Sequence, residues 1–147
     1  MIRIAPAGRD DVPEWQALRD ALWPHAAGTQ NAAEIAGFFD NTENVAFIAR
    51  DPGGRPLGFA EGSIRHDHVN GCRTSPVGFL EGIYVLPAGR RKGVARLLVD
   101  ALAEWARHHG CSEFASDAAL DNLVSHQMHE ALGFVETQRV VFFRRGL

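Results

Sequence analysis

Residues Val77 to Gly110 contain the stretch that most restricts the fold: an apolar run, VGFLEGIYVL, a short loop of glycines and cations, PAGRRKG, and then apolar residues at helical spacing. The first run, rich in β-branched and aromatic residues, predicts a central strand. Val94, Leu97, Leu98, Ala101, Leu102 and Trp105 stripe one face of the helix that follows, and His108-His109-Gly110 gives it a cationic-capable last turn and a glycine stop. Between them lies GRRKGVARLL, in which Arg90, Arg91 and Lys92 precede a helix entered at Gly93. A helix start offers free N–H groups and the positive end of its dipole, and Gly93 and the small Ala95 permit close approach, so the loop suits an anion. On its own the loop reads equally as a solvated basic turn. It lacks the spacing of a P-loop and of a dinucleotide-binding glycine fingerprint.

The remaining chain supplies short elements on either side. MIRIAPA alternates like a strand, and Asp10 or Asp11 before Pro13 starts a helix striped by Trp15, Leu18, Leu22 and Trp23 and stopped by Pro24. Asn31 to Phe39 reads as a second helix, capped by Thr29 or Asn31. NVAFIAR (44–50) and LGFAEGSIR (57–65) flank the turn DPGGRP and form a hairpin. HDHVNGCRTSP (66–76) is an exposed loop, SEFASDA (112–118) a short strand, and Asp121 or Asn122 caps a helix running to Leu132 and ended by Gly133. FVETQRVVFFRR is predicted to close the sheet, with a break near Glu136 to Arg139. The order β α α β β β α β α β predicts an α/β (α+β) fold, a mixed sheet with helices on both faces.

A chain of 147 residues can bury one sufficient core, so a single domain over residues 1–147 is expected. The net charge of −3 argues against nucleic acid as main partner and suits a cationic small molecule. The longest apolar runs are too short for a bilayer, and the N-terminus shows no secretory pattern, so a cytoplasmic location and no membrane partner are expected. Cys72 and Cys111 then read as packing residues, and His66-x-His68 with Cys72 offers too few ligands for a metal site. His126 and His129, at i and i+3, read as a solvated helix face.

Arg90-x-x-Gly93-x-Ala95 after a strand ending VLP resembles the acetyl-CoA pyrophosphate loop of the GNAT N-acetyltransferase superfamily. FLEGIYVLP (79–87), EFASDAALDN (113–122) and HEALGF (129–134) extend the resemblance to the aminoglycoside 6′-N-acetyltransferase subgroup and cover most of the chain. The resemblance implies a GNAT fold whose mostly antiparallel sheet splays between two parallel strands. It implies acetyl transfer from acetyl-CoA to an aminoglycoside 6′-amine by direct attack in a ternary complex, without a metal, in a homodimer whose C-terminal strands pair or exchange; a polyamine or a protein amino group is the alternative acceptor.

By the same resemblance Arg90, Arg91, Lys92, Gly93, Val94, Ala95 and Arg96 hold the pyrophosphate, and the backbone of Ile83, Tyr84 and Val85 pairs with the pantetheine. The N–H of Ile83 or Val85 faces the thioester oxygen. The side-chain amide of Asn122 bonds the pantetheine or caps its helix. Glu81, an acid in an apolar run, is an ammonium anchor, a base acting through water, or half of an internal ion pair. Asp117 is the matching substrate carboxylate across the splay, or else caps the turn into the following helix. Trp23 and His25 line the aminoglycoside pocket, with core packing the other reading of Trp23, and His68 joins them from the polar loop. Gln138 stands where the subgroup leads us to expect an acid, a contact that Glu136 takes over or that alters antibiotic choice. The only tyrosine, Tyr84, lies on a strand, so the group that protonates the leaving thiolate is unassigned.

Overall fold

The computed structural model describes residues 1–147. Its elements are β1 (Arg3–Pro6), α1 (Val12–Leu22), α2 (Thr29–Phe38), β2 (Asn44–Arg50), β3 (Pro56–Arg65), β4 (Val77–Val85), α3 (Val94–His108), β5 (Phe114–Ser116) and α4 (Leu123–Ala131). Short 3-10 turns at 9–11, 24–26 and 87–89 join some of them. The five strands lie in sequence order, antiparallel except for the parallel pair β4–β5. The intervening α3 is the crossover that such a pair needs.

The two sheet faces carry separate cores. Val94, Leu98, Val99 and Leu102 of α3 pack on Ala49, Leu57, Ala60 and Leu80, and Phe114, Leu132 and Phe134 extend this side toward α4. On the other face Trp15 and Leu18 of α1 and Ile35 of α2 meet Ala46, Ile48 and Phe59. Each fully buried leucine or valine contributes about 1.5–3 kcal/mol of transfer free energy, so α3 is held mainly by its stripe. Gly62 makes that approach possible, because a Cβ there would lie 2.7 Å from Leu102 Cδ2.

Helix boundaries follow their end signals. Asp11 is the N-cap residue of α1 with proline in its first turn, Asn122 Oδ1 accepts the Ser125 N–H at the start of α4, and Gly110 and Gly133 take the left-handed conformation after α3 and α4. Helix α2 differs from expectation: its N-cap is Gly28, and Asn31 is a fully buried residue inside the first turn.

The closing strand expected over FVETQRVVFFRR is absent, and no strand follows β5. Val141, Phe142 and Phe143 are 77%, 86% and 93% exposed. A strand exists only against a partner ladder, and this chain alone offers the segment none. β5 is also shorter than the expected 112–118, because its ladder to β4 spans three residues.

Candidate active site at a fork in the sheet

The site begins where β4 loses its parallel neighbour. Pairing runs Gly78 with Phe114, Phe79 with Ala115 and Leu80 with Ser116, and then stops. On its other side β4 stays paired with β3 to Val85, but the register jumps from Gly62–Leu80 to Glu61–Gly82. Glu81 is therefore the extra residue of a β-bulge placed at the mouth of the fork. A bulge re-aims side chains. Here Glu81 lines the cavity on the α1/α2 face, and Gly82, the next residue, lies under the Trp23 indole on that same face.

Beyond the bulge ordinary alternation resumes, with Ile83 and Val85 against the α3 core and Tyr84 against the α1 core. Leu86 N–H donates to Leu57 O at 2.8 Å, so alternation turns the amides of Ile83 and Val85 away from β3, into the fork. Asp117 follows Ser116 directly, exposed just past the end of β5, and is not among the residues that line the acidic cavity.

A cavity of about 530 Å³ opens on the α1/α2 face, lined by Trp23, His25, Glu34, Glu61 and Glu81 with Arg19 in its wall. Three carboxylates face one guanidinium, an excess of negative charge that suits a polycation. Trp23 lies against Gly82, where a Cβ would come within 2.5 Å of indole Cη2. Only glycine lets the ring lie there, and Phe59 meets it edge-on at 6.4 Å. Trp23 packs on the core and also faces the cavity. The Glu81 carboxylate is bound by Arg65 Nη2 at 2.9 Å and by Ser63 Oγ, and Arg65 itself lies over Phe79 with Cζ 3.5 Å from the ring centroid. The internal ion pair is real, and it leaves the carboxylate about one-third exposed.

Beneath the cavity lies a network that sequence reasoning missed. Glu61 accepts from Trp15 Nε1 at 2.8 Å and from Arg19 Nε and Nη2 at 2.6 and 2.8 Å, while Arg19 Nη1 donates to Asn31 Oδ1 and Glu34. Asn31 Nδ2 donates to Asp20 Oδ1 at 2.8 Å, and no buried side-chain polar atom is left unpartnered. Burial would lower the Arg19 pKa, but hydrogen bonds to Glu61 and Glu34 and their charges outweigh it and raise it. Glu34 is held below the ordinary carboxylate value, first by the Arg19 hydrogen bond. The signal was available: Glu61 is an acid in the apolar run LGFAEGSIR, as Glu81 is in its own run.

The basic loop meets the fork from the other end. Gly89 is packed so closely that a Cβ would lie 3.0 Å from Leu57 O, and Arg90 Nε donates to Val85 O at 3.0 Å. Arg91 and Gly93 both have positive φ, 62° and 76°, and Gly93 opens α3 without a side-chain cap. The amides of Val94, Ala95 and Arg96 precede the first helical bond, Leu97 N–H to Gly93 O, and so point outward unpaired along the helix axis. Alternating left-handed residues at such an end form a nest for an anion. Arg91 and Lys92 are exposed, whereas the Arg96 guanidinium turns to the Ala131 carbonyl at the end of α4.

Other expected residues are placed elsewhere. His68 is exposed and outside the acidic cavity, and His66 pairs with Glu43 at 2.6 Å. Glu136 and Gln138 line a second hollow of about 390 Å³ between β5, α4 and the loop at 70–72. His126 is half-buried at the second hollow and bonds to Ala119 O. His129 departs from the solvated reading: it is half-buried, bonded to Ser116 and Ser125, and edge-on to Phe134 at 5.3 Å. Burial raises the thiol pKa of both Cys72 and Cys111. No group of three or more His, Cys, Asp or Glu side chains is arranged to hold a metal.

Comparison with known proteins agrees with this geometry. Residues 12–134 match the model of the acetyltransferase (GNAT) family. The chain is 47% identical over 144 residues to an aminoglycoside N(6′)-acetyltransferase type 1 of Serratia marcescens, covering 98% of this chain and 99% of that one. It superposes with a TM-score of 0.96 on the aminoglycoside antibiotic 6′-N-acetyltransferase AAC(6′)-Ih of Acinetobacter baumannii, at 43% identity, covering 100% of this chain and 99% of the other. The TM-score is 0.95 at 41% identity for AAC(6′)-Iy in complex with the bisubstrate analog CoA-S-monomethyl-acetylneamine, again covering 100% and 99%. The fork, the uncapped helix beside it and these relatives agree: the chain belongs to the GNAT acetyltransferase family, among the type 1 aminoglycoside N(6′)-acetyltransferases.

Proposed function

We propose that the protein transfers the acetyl group of acetyl-CoA to the 6′-amine of aminoglycosides by direct attack within a ternary complex. The observation that carries the reading is the meeting of an acidic cavity with the mouth of the fork at Glu81. The residues present fit the cofactor: the nest and free amides at Arg91 to Arg96 would take its pyrophosphate, and the outward amides of Ile83 and Val85 would pair with its pantetheine arm. When bound, acetyl-CoA supplies an activated acyl carbon. An outward N–H of β4 would stabilise the oxyanion. Asn122 spends its Oδ1 on capping α4 and keeps its amide NH₂ for the cofactor.

On the acceptor side Glu81 would meet the amine from the cavity, with Trp23 as a stacking surface for a sugar ring and His25 at the rim, and Asp117, exposed past the end of β5, would approach it from the other arm of the fork. Arg65 and Ser63 fix the direction of Glu81, whose remaining lone pairs face the cavity for an ammonium or a water. Transfer lowers the antibiotic's charge and its affinity for the ribosome, so the site of action is the cytoplasm. The exposed apolar run at 140–143 favours a homodimer in which a second copy covers it.

The test is release of free thiol from acetyl-CoA with a panel of aminoglycosides, polyamines and peptides. Turnover is expected with 6′-amino compounds, and 6′-hydroxyl analogues should bind without turning over. No release with any 6′-amino compound refutes the proposal. Asp117→Asn should raise the aminoglycoside KM or lower kcat while acetyl-CoA binding is kept, and unchanged kinetics remove that assignment.

A further inference from the structure

Ser116 and His129 form a hydrogen-bonded pair on the side of the fork opposite the acidic cavity. Ser116 closes the last rung of the β4–β5 ladder, and its Oγ lies 3.3 Å from Leu80 O, bridging the two strands at the vertex. His129 Nε2 is 2.7 Å from the same Oγ. The other ring nitrogen, Nδ1, is 2.7 Å from Ser125 O, a carbonyl that can only accept. That contact fixes a proton on Nδ1 and leaves Nε2 as the nitrogen that exchanges a proton with Ser116. The ring is held further by Phe134.

Side-chain alternation separates two chemistries across the sheet. Leu80 and its partner Ser116 face the α3/α4 side, whereas Glu81, at the bulge, faces the α1/α2 side. An amine arriving from the acidic cavity would thus attack an acyl group in the fork from one side, with the Ser116 hydroxyl on the other.

We infer that Ser116 is the catalytic acid that protonates the departing thiolate, recharged by His129 as its positioning partner. This inference rests on the acetyl-transfer reading. As the C–S bond breaks, its electron pair goes to sulfur, the Ser116 O–H proton passes to that sulfur, and Oγ takes the Nε2 proton of the His129 imidazolium. The thiol, an intact serine and a neutral imidazole remain. The proton lost by the attacking amine leaves on the acidic side. The solvent-facing hollow lined by Glu130, Glu136 and His129 gives water a route to reprotonate the ring between turnovers.

The experiment compares wild type, Ser116→Ala, Ser116→Thr and His129→Gln in single-turnover acetyl transfer, with CoA affinity by calorimetry and rates in mixed H₂O and D₂O. Ser116→Ala and His129→Gln should each slow transfer by about 100-fold or more. CoA affinity should stay within about twofold, and Ser116→Thr, which keeps a hydroxyl, should restore most of the rate. The wild-type proton inventory should be bowed, reporting two protons in flight, and that of Ser116→Ala linear. A Ser116→Ala rate within about threefold of wild type overturns the inference. So does a loss that tracks lost CoA binding or leaves the inventory unchanged, since Ser116 would then merely tie β5 to α4. Should wild type itself fail to acetylate any amine, the failure lies with the acetyl-transfer reading instead.

Discussion

Glu61→Gln removes one charge from the floor of the site while preserving shape. In the native chain Glu61 accepts three hydrogen bonds, two of them from one guanidinium, and its side chain is 2% exposed against 5% for Arg19. Glutamine places an NH₂ against the Arg19 fork, donor facing donor, and leaves a buried cation compensated only by Glu34 and Asn31. Removing one partner of a buried ion pair costs about 3–5 kcal/mol. Because Glu34 stays, although half-exposed, the lower end applies, about 3 kcal/mol. A domain of this size loses about 2–4 °C of Tm per kcal/mol, so thermal unfolding followed by circular dichroism should shift down by roughly 6–12 °C. Glu34→Gln, which removes an exposed partner, should cost less than about 1 kcal/mol. A loss of under about 2 °C for Glu61→Gln would mean that the network is not holding α1 to the sheet, and the argument from burial would fail.

Gly82→Ala should displace Trp23, since the new methyl would lie 2.5 Å from the indole; about 1–3 kcal/mol of stability and a raised acceptor KM are expected, read by urea unfolding and steady-state kinetics. Asn122→Ala removes the cap of α4 and should cost about 1 kcal/mol by the same unfolding assay, with weaker CoA binding if its amide also meets the cofactor. Glu34 has a lowered folded pKa, caused first by Arg19, so its contribution is present above its ordinary 4.5 and fades as pH falls through the folded value. Wild type should therefore lose more stability than Glu34→Gln between about pH 5 and 3, by less than about 1 kcal/mol because the side chain is half-exposed, read by thermal unfolding at each pH.

The helices and the paired strands were legible because each carries its own period and its own stop: the α3 stripe and the glycines after α3 and α4 need no tertiary knowledge. The closing strand was misread because VVFF has strand composition, whereas a strand is a property of a pair. The basic loop opens α3 as its own spacing predicts, whereas the role of the β4 amides came from the family resemblance, and alternation turns those amides into the fork. His68, Glu136 and Gln138 lie apart from the acidic cavity, since a loop or tail residue has no periodicity to fix where it points. Glu61 was overlooked although it met the criterion applied to Glu81. Arg19 gave no signal at all, because an arginine on an amphipathic helix ordinarily lies in solvent.

The bulge at Glu81 also acts as a parity change in the chain. Before it, even-numbered residues Gly78 and Leu80 face α3; after it, the odd-numbered Ile83 and Val85 do. Deleting a single residue between Leu80 and Gly82 would restore a regular ladder and keep nearly every hydrogen bond. That deletion would leave Leu80, Ile83 and Val85 on the α3 side and Gly82 and Tyr84 on the α1 side, taking only the Glu81 carboxylate from the cavity, whereas a deletion elsewhere within β4 would turn part of the strand inside out and should be tolerated far less.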